Sequence, residues 1–250
     1  MLWDDLQTQR ATVADLEAQL AAAREKLRTL EASAVNAGPD VSEYQGDVDW
    51  AKVKAAPYSL AFVRISDGDQ RDKLYSQARV TSLRGAGLIL GTYYFARVAS
   101  AGNGERNGRS ECAMAVYFAE SMGALKKGDL PLAYDLETPN GQAMPKVAAH
   151  AVEWIKAYRY LKGTYPLLYT TPSFGTDLAT AMDDEQRAVL VKCPLWVAHF
   201  GVDKPQVPAP WTSWTFWQYV DKGACPGVTT AVDLNYFSGT RAELDALRIA

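Results

Sequence analysis

From Gly38 to the C-terminus, short runs of β-branched, aliphatic and aromatic residues alternate with longer stretches whose apolar residues recur at helical spacing. Strand patterns fall near Asp40–Val41, Ala61–Ile65, Leu88–Phe95, Leu132–Leu136, Leu167–Thr170, Leu195–His199, Thr215–Tyr219 and Val232–Leu234. Helical patterns lie between them near Lys73–Ala86, Glu105–Met122, Pro145–Leu161 and Asp183–Leu190. Such alternation restricts the chain to a largely parallel sheet, because parallel neighbours need a crossover long enough to hold a helix. At 250 residues the chain can bury one large core, and α/β barrels of this length are often single domains. A closed barrel is the expectation. The late connections, residues 201–214 and 221–231, are rich in Pro and Gly and too short for good helices.

Residues 1–37 are of another kind. They contain no Gly or Pro, are rich in Ala, Leu, Glu and Arg, and favour a long helix that Gly38-Pro39 should stop. Leu6, Val13, Leu20, Leu27 and Ala34 recur every seven residues, and Leu2, Leu16, Ala23 and Leu30 fall at the complementary spacing, with Gln9 interrupting. This matches the two core positions of a coiled coil over more than four heptads. In a parallel pairing Asp5 would face Arg10 and Lys26 would face Glu31. The segment is therefore expected to form a homo-oligomer or to anchor the chain to another protein, such as a virion component. An amphipathic helix folded back on its own barrel is the competing reading. The chain divides into residues 1–37, the coiled-coil-like helix, and residues 38–250, the barrel.

Chemistry concentrates in Leu130-Pro-Leu-Ala-Tyr-Asp135-Leu-Glu137-Thr-Pro139. An apolar run ends there in two carboxylates spaced i, i+2, which a strand places on one face with Cα atoms roughly 6.5–7 Å apart. In a cleft, two such carboxylates cannot both ionise freely, so one is pushed up and can act as an acid near neutral pH. Glycoside cleavage needs that arrangement. Read blandly, Asp-Leu-Glu is only the polar end of a strand. Two further acidic segments, Asp40-Val-Ser-Glu-Tyr-Gln-Gly46 with Val48-Asp-Trp50, and Val232-Asp-Leu-Asn-Tyr-Phe237, weigh against that, as does the aromatic Trp217-Gln-Tyr219. Asp40, Asp135, Glu137 and Asp233 all sit at or near the ends of expected strands, where a barrel gathers its reacting groups. Four unneutralised carboxylates in one pit are costly for a purely structural core.

Taken in this order over roughly residues 38–240, these motifs resemble glycoside hydrolase family 25, the lysozymes of fungi, bacteria and many phages. Phe62-Val-Arg-Ile-Ser-Asp-Gly68, Ala86-Gly-Leu-Ile-Leu-Gly-Thr-Tyr-Tyr-Phe-Ala96 and Leu195-Trp-Val-Ala198 also look like strands of that family. Pro39 stands where an aliphatic residue is usual, Ser66-Asp67 replaces a more typical Thr-Glu, and Tyr94 sits where His is frequent. The resemblance implies a flattened, TIM-like barrel of eight strands with fewer than eight flanking helices. It implies hydrolysis of the β-1,4 bond between N-acetylmuramic acid and N-acetylglucosamine in bacterial peptidoglycan, with neither a metal nor an organic cofactor. The family's general acid maps onto Glu137 and its assisting carboxylate onto Asp135. Asp40 and Asp233 are expected around the reacting sugar and its water, and Asp40 is an alternative activator of that water. Tyr44, Tyr94, Tyr169, Trp196, Trp217 and Tyr219 are candidates to line the groove and stack on sugar faces, although aromatic residues in strands are more often core. Two other readings stay open: a chitinase-like N-acetylhexosaminidase, and a structural virion protein whose barrel binds wall with little or no activity.

Composition narrows the field. With 26 basic against 29 acidic residues the net charge is −3, without the basic excess of a nucleic-acid binder. Two histidines and no G-x-S-x-G leave no serine hydrolase and no His-rich metal site, and His150 and His199 read as structural. Cys112, Cys193 and Cys225, odd in number and without C-x-x-C spacing, read as buried free thiols. No run approaches the roughly 20 apolar residues of a membrane span. Met1-Leu-Trp-Asp-Asp carries acids where a signal peptide has basic residues. The expectation is a phage protein that meets the host wall at lysis or from the virion.

Overall fold

Strand β2 (Leu60–Asp67) is buried along almost its whole length, as a strand is when both faces of its sheet are covered. Its alternate residues go to two different cores. Leu60 and Phe62 join an inner cluster with Trp196 and Phe216, whereas Ala61, Val63 and Ile65 join an outer one with Leu83, Trp154 and Ile155. The first cluster fills a barrel; the second lies between that barrel and its helices.

The computed structural model describes residues 3, 6–20, 36–98 and 107–250. An N-terminal helix, α1, occupies residues 6–20. There follow β1 (Ala37–Val41), a 3-10 turn (Glu43–Gln45), α2 (Trp50–Ala55), β2, β3 (Gln70–Arg71), α3 (Gln77–Gly85), β4 (Ile89–Phe95), α4 (Gly108–Ser121) and β5 (Ala133–Asp135). Then come α5 (Met144–Lys162), β6 (Leu167–Thr170), α6 (Pro172–Thr180), α7 (Asp184–Leu190), β7 (Leu195–Ala198), β8 (Phe216–Gly223), β9 (Val232–Phe237) and α8 (Arg241–Ala246). Strands β1, β2 and β4 to β9 form the barrel, and β3 only hairpins onto the end of β2. Within the barrel, the pairings among β1, β2 and β4 to β8 are parallel, while β9 runs antiparallel to both β8 and β1. The link between β8 and β9 explains the reversal, since it is too short to carry a crossover helix. Eight barrel strands and seven α-helices after residue 37, among the described residues, match the expected flattened, thinning barrel.

Gly38 and Pro39, expected to stop a helix, both belong to β1, and the residues before them, 21–35, lie outside the described residues. A Cβ on Gly38 would lie 1.8 Å from the Leu60 carbonyl oxygen, so only glycine lets β1 close against β2. Helix α8 was not expected. Its Leu244, with Leu247 just beyond, packs into the inner cluster beside Leu60, Leu130 and Leu167, at the N-terminal ends of the strands. That end of the barrel is therefore plugged, and the opposite end stays open. The three cysteines are buried and unpaired, and no described helix is long and apolar enough to cross a membrane.

Candidate active site

At the open end, the last inward-facing residues of several strands surround a cleft of about 200 Å³. Its floor is the top of the inner core, where Trp196 stacks on Phe62 with ring centroids 4.2 Å apart. Its walls carry Asp40, Asp135, Glu137 and Asp233, together with Tyr44 and Tyr169. All four candidate carboxylates therefore converge, from β1, β5 and β9.

Asp40 sits at the seam where the barrel closes, its Cα paired with Asp233 on β9 and with Phe62 on β2. Directly opposed like charges destabilise a strand pair, and two amides moderate this one. Gln218 Nε2 donates to Asp40 Oδ2 at 2.8 Å and reaches Asp233 Oδ2 at 3.4 Å; Asn235 Nδ2 donates to Asp40 Oδ2 at 2.8 Å. Each amide is oriented from behind. Trp196 Nε1 donates to Asn235 Oδ1 at 2.7 Å, and the Tyr169 hydroxyl donates to Gln218 Oε1 at 2.9 Å. Indole and phenol donors occupy the amide oxygens, so both amides must turn their N–H groups toward Asp40.

Burial dominates the proton affinities. It pushes Asp40 up against the opposing pull of Asn235 and Gln218. Asp135 is raised well above the usual carboxylate range by burial, then by the charges of Glu137 and Asp40, and its Oδ1 has no hydrogen-bond partner among the described residues. Glu137 is raised by burial and then by Asp40, with the Tyr169 hydroxyl and Arg97 pulling the other way. Asp233 is pushed up to about 8 by burial, then by Asp40, Asp221 and Glu137. Burial and mutual repulsion therefore favour the protonated form in all four carboxyls, and two of them stand side by side at the end of β5.

Two arginines frame this acidic pit. Arg64 lines the cleft, donates from Nε to Asp72 Oδ2 at 2.9 Å and lies 5.1 Å from the ring centre of Tyr44, which stands exposed at the rim. Arg97 grips Asp67 with two hydrogen bonds, 2.5 and 2.9 Å long, and sits over Phe95, 4.4 Å from its ring centre. Among the described residues no group of three or more His, Cys, Asp or Glu is arranged to hold a metal ion.

Three candidate aromatics lie elsewhere. Tyr94 is fully buried on the outer face of β4, its hydroxyl bonded to Glu111 at 3.1 Å and its ring among Tyr134 and Trp154. Strand alternation is the reason: Gly91, Tyr93 and Phe95 face inward, so Tyr94 must face the helices. Tyr93 is the tyrosine that lines the cleft. Trp217 and Tyr219 flank the inward Gln218 and so point outward, packing on Tyr236 with centroids 6.1 and 4.1 Å away. Arg64, Tyr93, Phe95 and Gln218 were missed as lining residues, as were Ser42 and Gln45. Parity alone would have found Tyr93 and Gln218.

Neither histidine lines the cleft. His199 Nδ1 accepts from the Gln206 amide at 3.0 Å. His150 is buried behind β5, with Nδ1 3.1 Å from the Tyr134 hydroxyl and Nε2 3.2 Å from Glu111 Oε2.

Comparison with known proteins agrees with this geometry. The family model for Glycosyl hydrolases family 25 matches residues 39–228. Lysozyme M1 of Streptomyces globisporus is 35% identical over 219 residues, covering 84% of this chain and 70% of its own. The N,O-diacetylmuramidase of Chalaropsis sp. is 31% identical over 203 residues, covering 76% of this chain and 90% of its own. The bacterial lysozyme crystal structure from Streptomyces coelicolor superposes with a TM-score of 0.75 at 31% identity, over 85% of this chain and 96% of that one.

Proposed function

The chain belongs to glycosyl hydrolases family 25, and from that premise we propose a muramidase that cleaves the β-1,4 bond between N-acetylmuramic acid and N-acetylglucosamine in peptidoglycan. The observation that carries this reading is the Asp135–Glu137 pair at the end of β5, inside a cleft that holds Asp40 and Asp233 as well. The two carboxyls have unequal surroundings. Glu137, beside the Tyr169 hydroxyl and nearer the rim, serves as general acid and gives its proton to the glycosidic oxygen as the bond breaks. Asp135 keeps a buried oxygen with no hydrogen-bond partner among the described residues. That oxygen suits the N–H of the sugar's 2-acetamido group, whose carbonyl oxygen attacks the anomeric carbon while Asp135 stabilises the positive charge that develops. Water then opens the cyclic intermediate, and Glu137 takes a proton from it. Asp40, pinned by Gln218 and Asn235, and Asp233 order the sugar and that water.

Glu137→Gln is isosteric and removes only the proton donor, so wall hydrolysis should fall by about 10²–10⁴-fold with the fold intact. Residual activity above about a tenth of wild type would take Glu137 out of the acid role. The first-formed product, read by NMR, should keep the β configuration. An initial α anomer would instead make Asp40 the activator of an attacking water. Digestion of chitin in preference to wall would redirect the reading to an N-acetylhexosaminidase.

A further inference from the structure

The N-terminal helix lies outside the family match, which begins at residue 39, and the active-site cleft makes no use of it. Residue 3 and residues 6–20 are all exposed. Leu6, Val13, Leu16 and Leu20 keep between 42% and 57% of their surface open, so the barrel does not cover their stripe. That is evidence against the helix folding back on its own barrel. A soluble helix that leaves a leucine-rich stripe uncovered requires a partner.

The stripe itself indicates which partner. Leu6, Val13 and Leu20, then Leu27 and Ala34 by sequence, occupy one core position of a heptad, with Leu16, Ala23 and Leu30 at the other. The two flanking positions, compared across a parallel pair, set Asp5 against Arg10, Thr12 against Glu17, Gln19 against Arg24 and Lys26 against Glu31. Two of these four contacts are opposite in charge and none is repulsive. A hydrophobic groove on an unrelated protein would impose no such rule on both flanks, but a second copy in register would. Residues 21–35 carry the latter part of this pattern and lie outside the described residues.

We propose that the N-terminal helix, described over residues 6–20 and carrying a heptad pattern that the sequence continues to Ala34, joins this chain to another copy of itself as a parallel coiled coil, so that two or more barrels act on one sheet of cell wall. The consequence is avidity. When one cleft releases a cut strand, the tethered partner keeps the assembly on the insoluble substrate at a local concentration near the millimolar range. The proposal about the wall rests on the muramidase reading, whereas the pairing itself does not.

The test compares the full chain with the full-length double variant Val13→Lys/Leu20→Lys. Lysine keeps helix propensity but places charge in the seam. Light scattering at micromolar concentration should give a multiple of the chain mass for wild type and a single chain for the variant. On sedimented cell wall the variant should lose about tenfold in rate, less than the roughly 10²–10⁴-fold that linking two sites can add to affinity. On a short soluble peptidoglycan oligosaccharide its rate should be unchanged. A full-length Leu6→Cys chain, treated with oxidised glutathione, should cross-link through residue 6, because parallel core positions are close enough for a disulfide; antiparallel chains hold those residues far apart. A monomeric wild type, an oligomeric double variant, or failure to cross-link would each overturn the pairing. Equal loss on both substrates, or loss on neither, would overturn the avidity. Should no version cleave the soluble oligosaccharide, the muramidase reading fails, and the mass and cross-linking results still judge the pairing.

Discussion

Replacing Asp233 by Asn should stabilise the protein and weaken its activity. Burial, with the charges of Asp40, Asp221 and Glu137, pushes Asp233 up to about 8 in the folded chain, against an ordinary value of 3.8. A raised carboxylate stabilises the fold fully below pH 3.8, and that stabilisation is lost as the pH climbs through about 8. Asparagine imitates the protonated form at every pH, so its advantage over wild type should be absent near pH 4 and greatest near pH 9. Each pH unit of displacement corresponds to about 1.4 kcal/mol. Asp233 stands near the cleft mouth where water screens it, so a gain of about 1–3 kcal/mol is the reasonable scale. For a chain of this size that is roughly 2–12 °C in Tm. Differential scanning fluorimetry of both proteins from pH 4 to pH 9 measures it, alongside wall hydrolysis at each pH. The midpoint belongs to the whole cluster, since removing one charge also lets Asp40 ionise more easily. A Tm difference that does not widen with pH would refute the reasoning, because the crowded carboxylates would then not be what strains the fold.

The barrel could be read from the sequence because its two periodicities are strong. Leu60–Asp67 and Ile89–Phe95 are apolar runs bounded by turns, and α5 carries nineteen residues of helical spacing. What escaped was short or depended on distant partners. Helices α2 and α8 have six residues each, too few to show a period. Helix α6 mixes small and polar residues around Gly175, although Thr171 at its N-cap followed by Pro172 was a usable signal. The carboxylates were found because an acid at the end of an apolar strand stands out against its neighbours. Gln218 and Asn235 do not stand out. Their importance comes from lying across the seam from Asp40, 178 and 195 residues away in sequence. Tyr94, Trp217 and Tyr219 were placed in the groove by residue type alone, where alternation from Phe62, Gly91 and Gln218 would have turned them outward. Arg64 had a signal that was passed over: a cation inside a buried strand, with the same parity as Phe62.

Two further substitutions separate packing from chemistry. A Cβ at Gly91 would lie 2.2 Å from Phe62 Cδ1, and Phe62 is held between Trp196 and Phe216, with centroids 4.2 and 5.3 Å away. Gly91→Ala should therefore destabilise by about 1–3 kcal/mol and raise KM as the cleft floor shifts; an unchanged Tm would mean that the ring moves freely. Tyr134→Phe probes the buried relay behind β5. The change keeps the ring stacked 4.3 Å from Trp154 but leaves His150 Nδ1 without its hydroxyl partner. An orphaned buried ring nitrogen costs about 1–3 kcal/mol, so Tm should fall by roughly 2–12 °C. Asp135 sits next along the same strand, yet Ala133, Tyr134 and Asp135 are held on both sides by their ladders to β4 and β6. The carboxylate should therefore stay in place, and kcat at 25 °C should remain within about twofold of wild type, since a loss of ordinary size in a two-state fold leaves nearly all molecules folded. If kcat fell tenfold while Tm held, the relay of Tyr134, His150 and Glu111 would be tuning the acid pair through the barrel wall, and the ladder would not be sufficient to position Asp135.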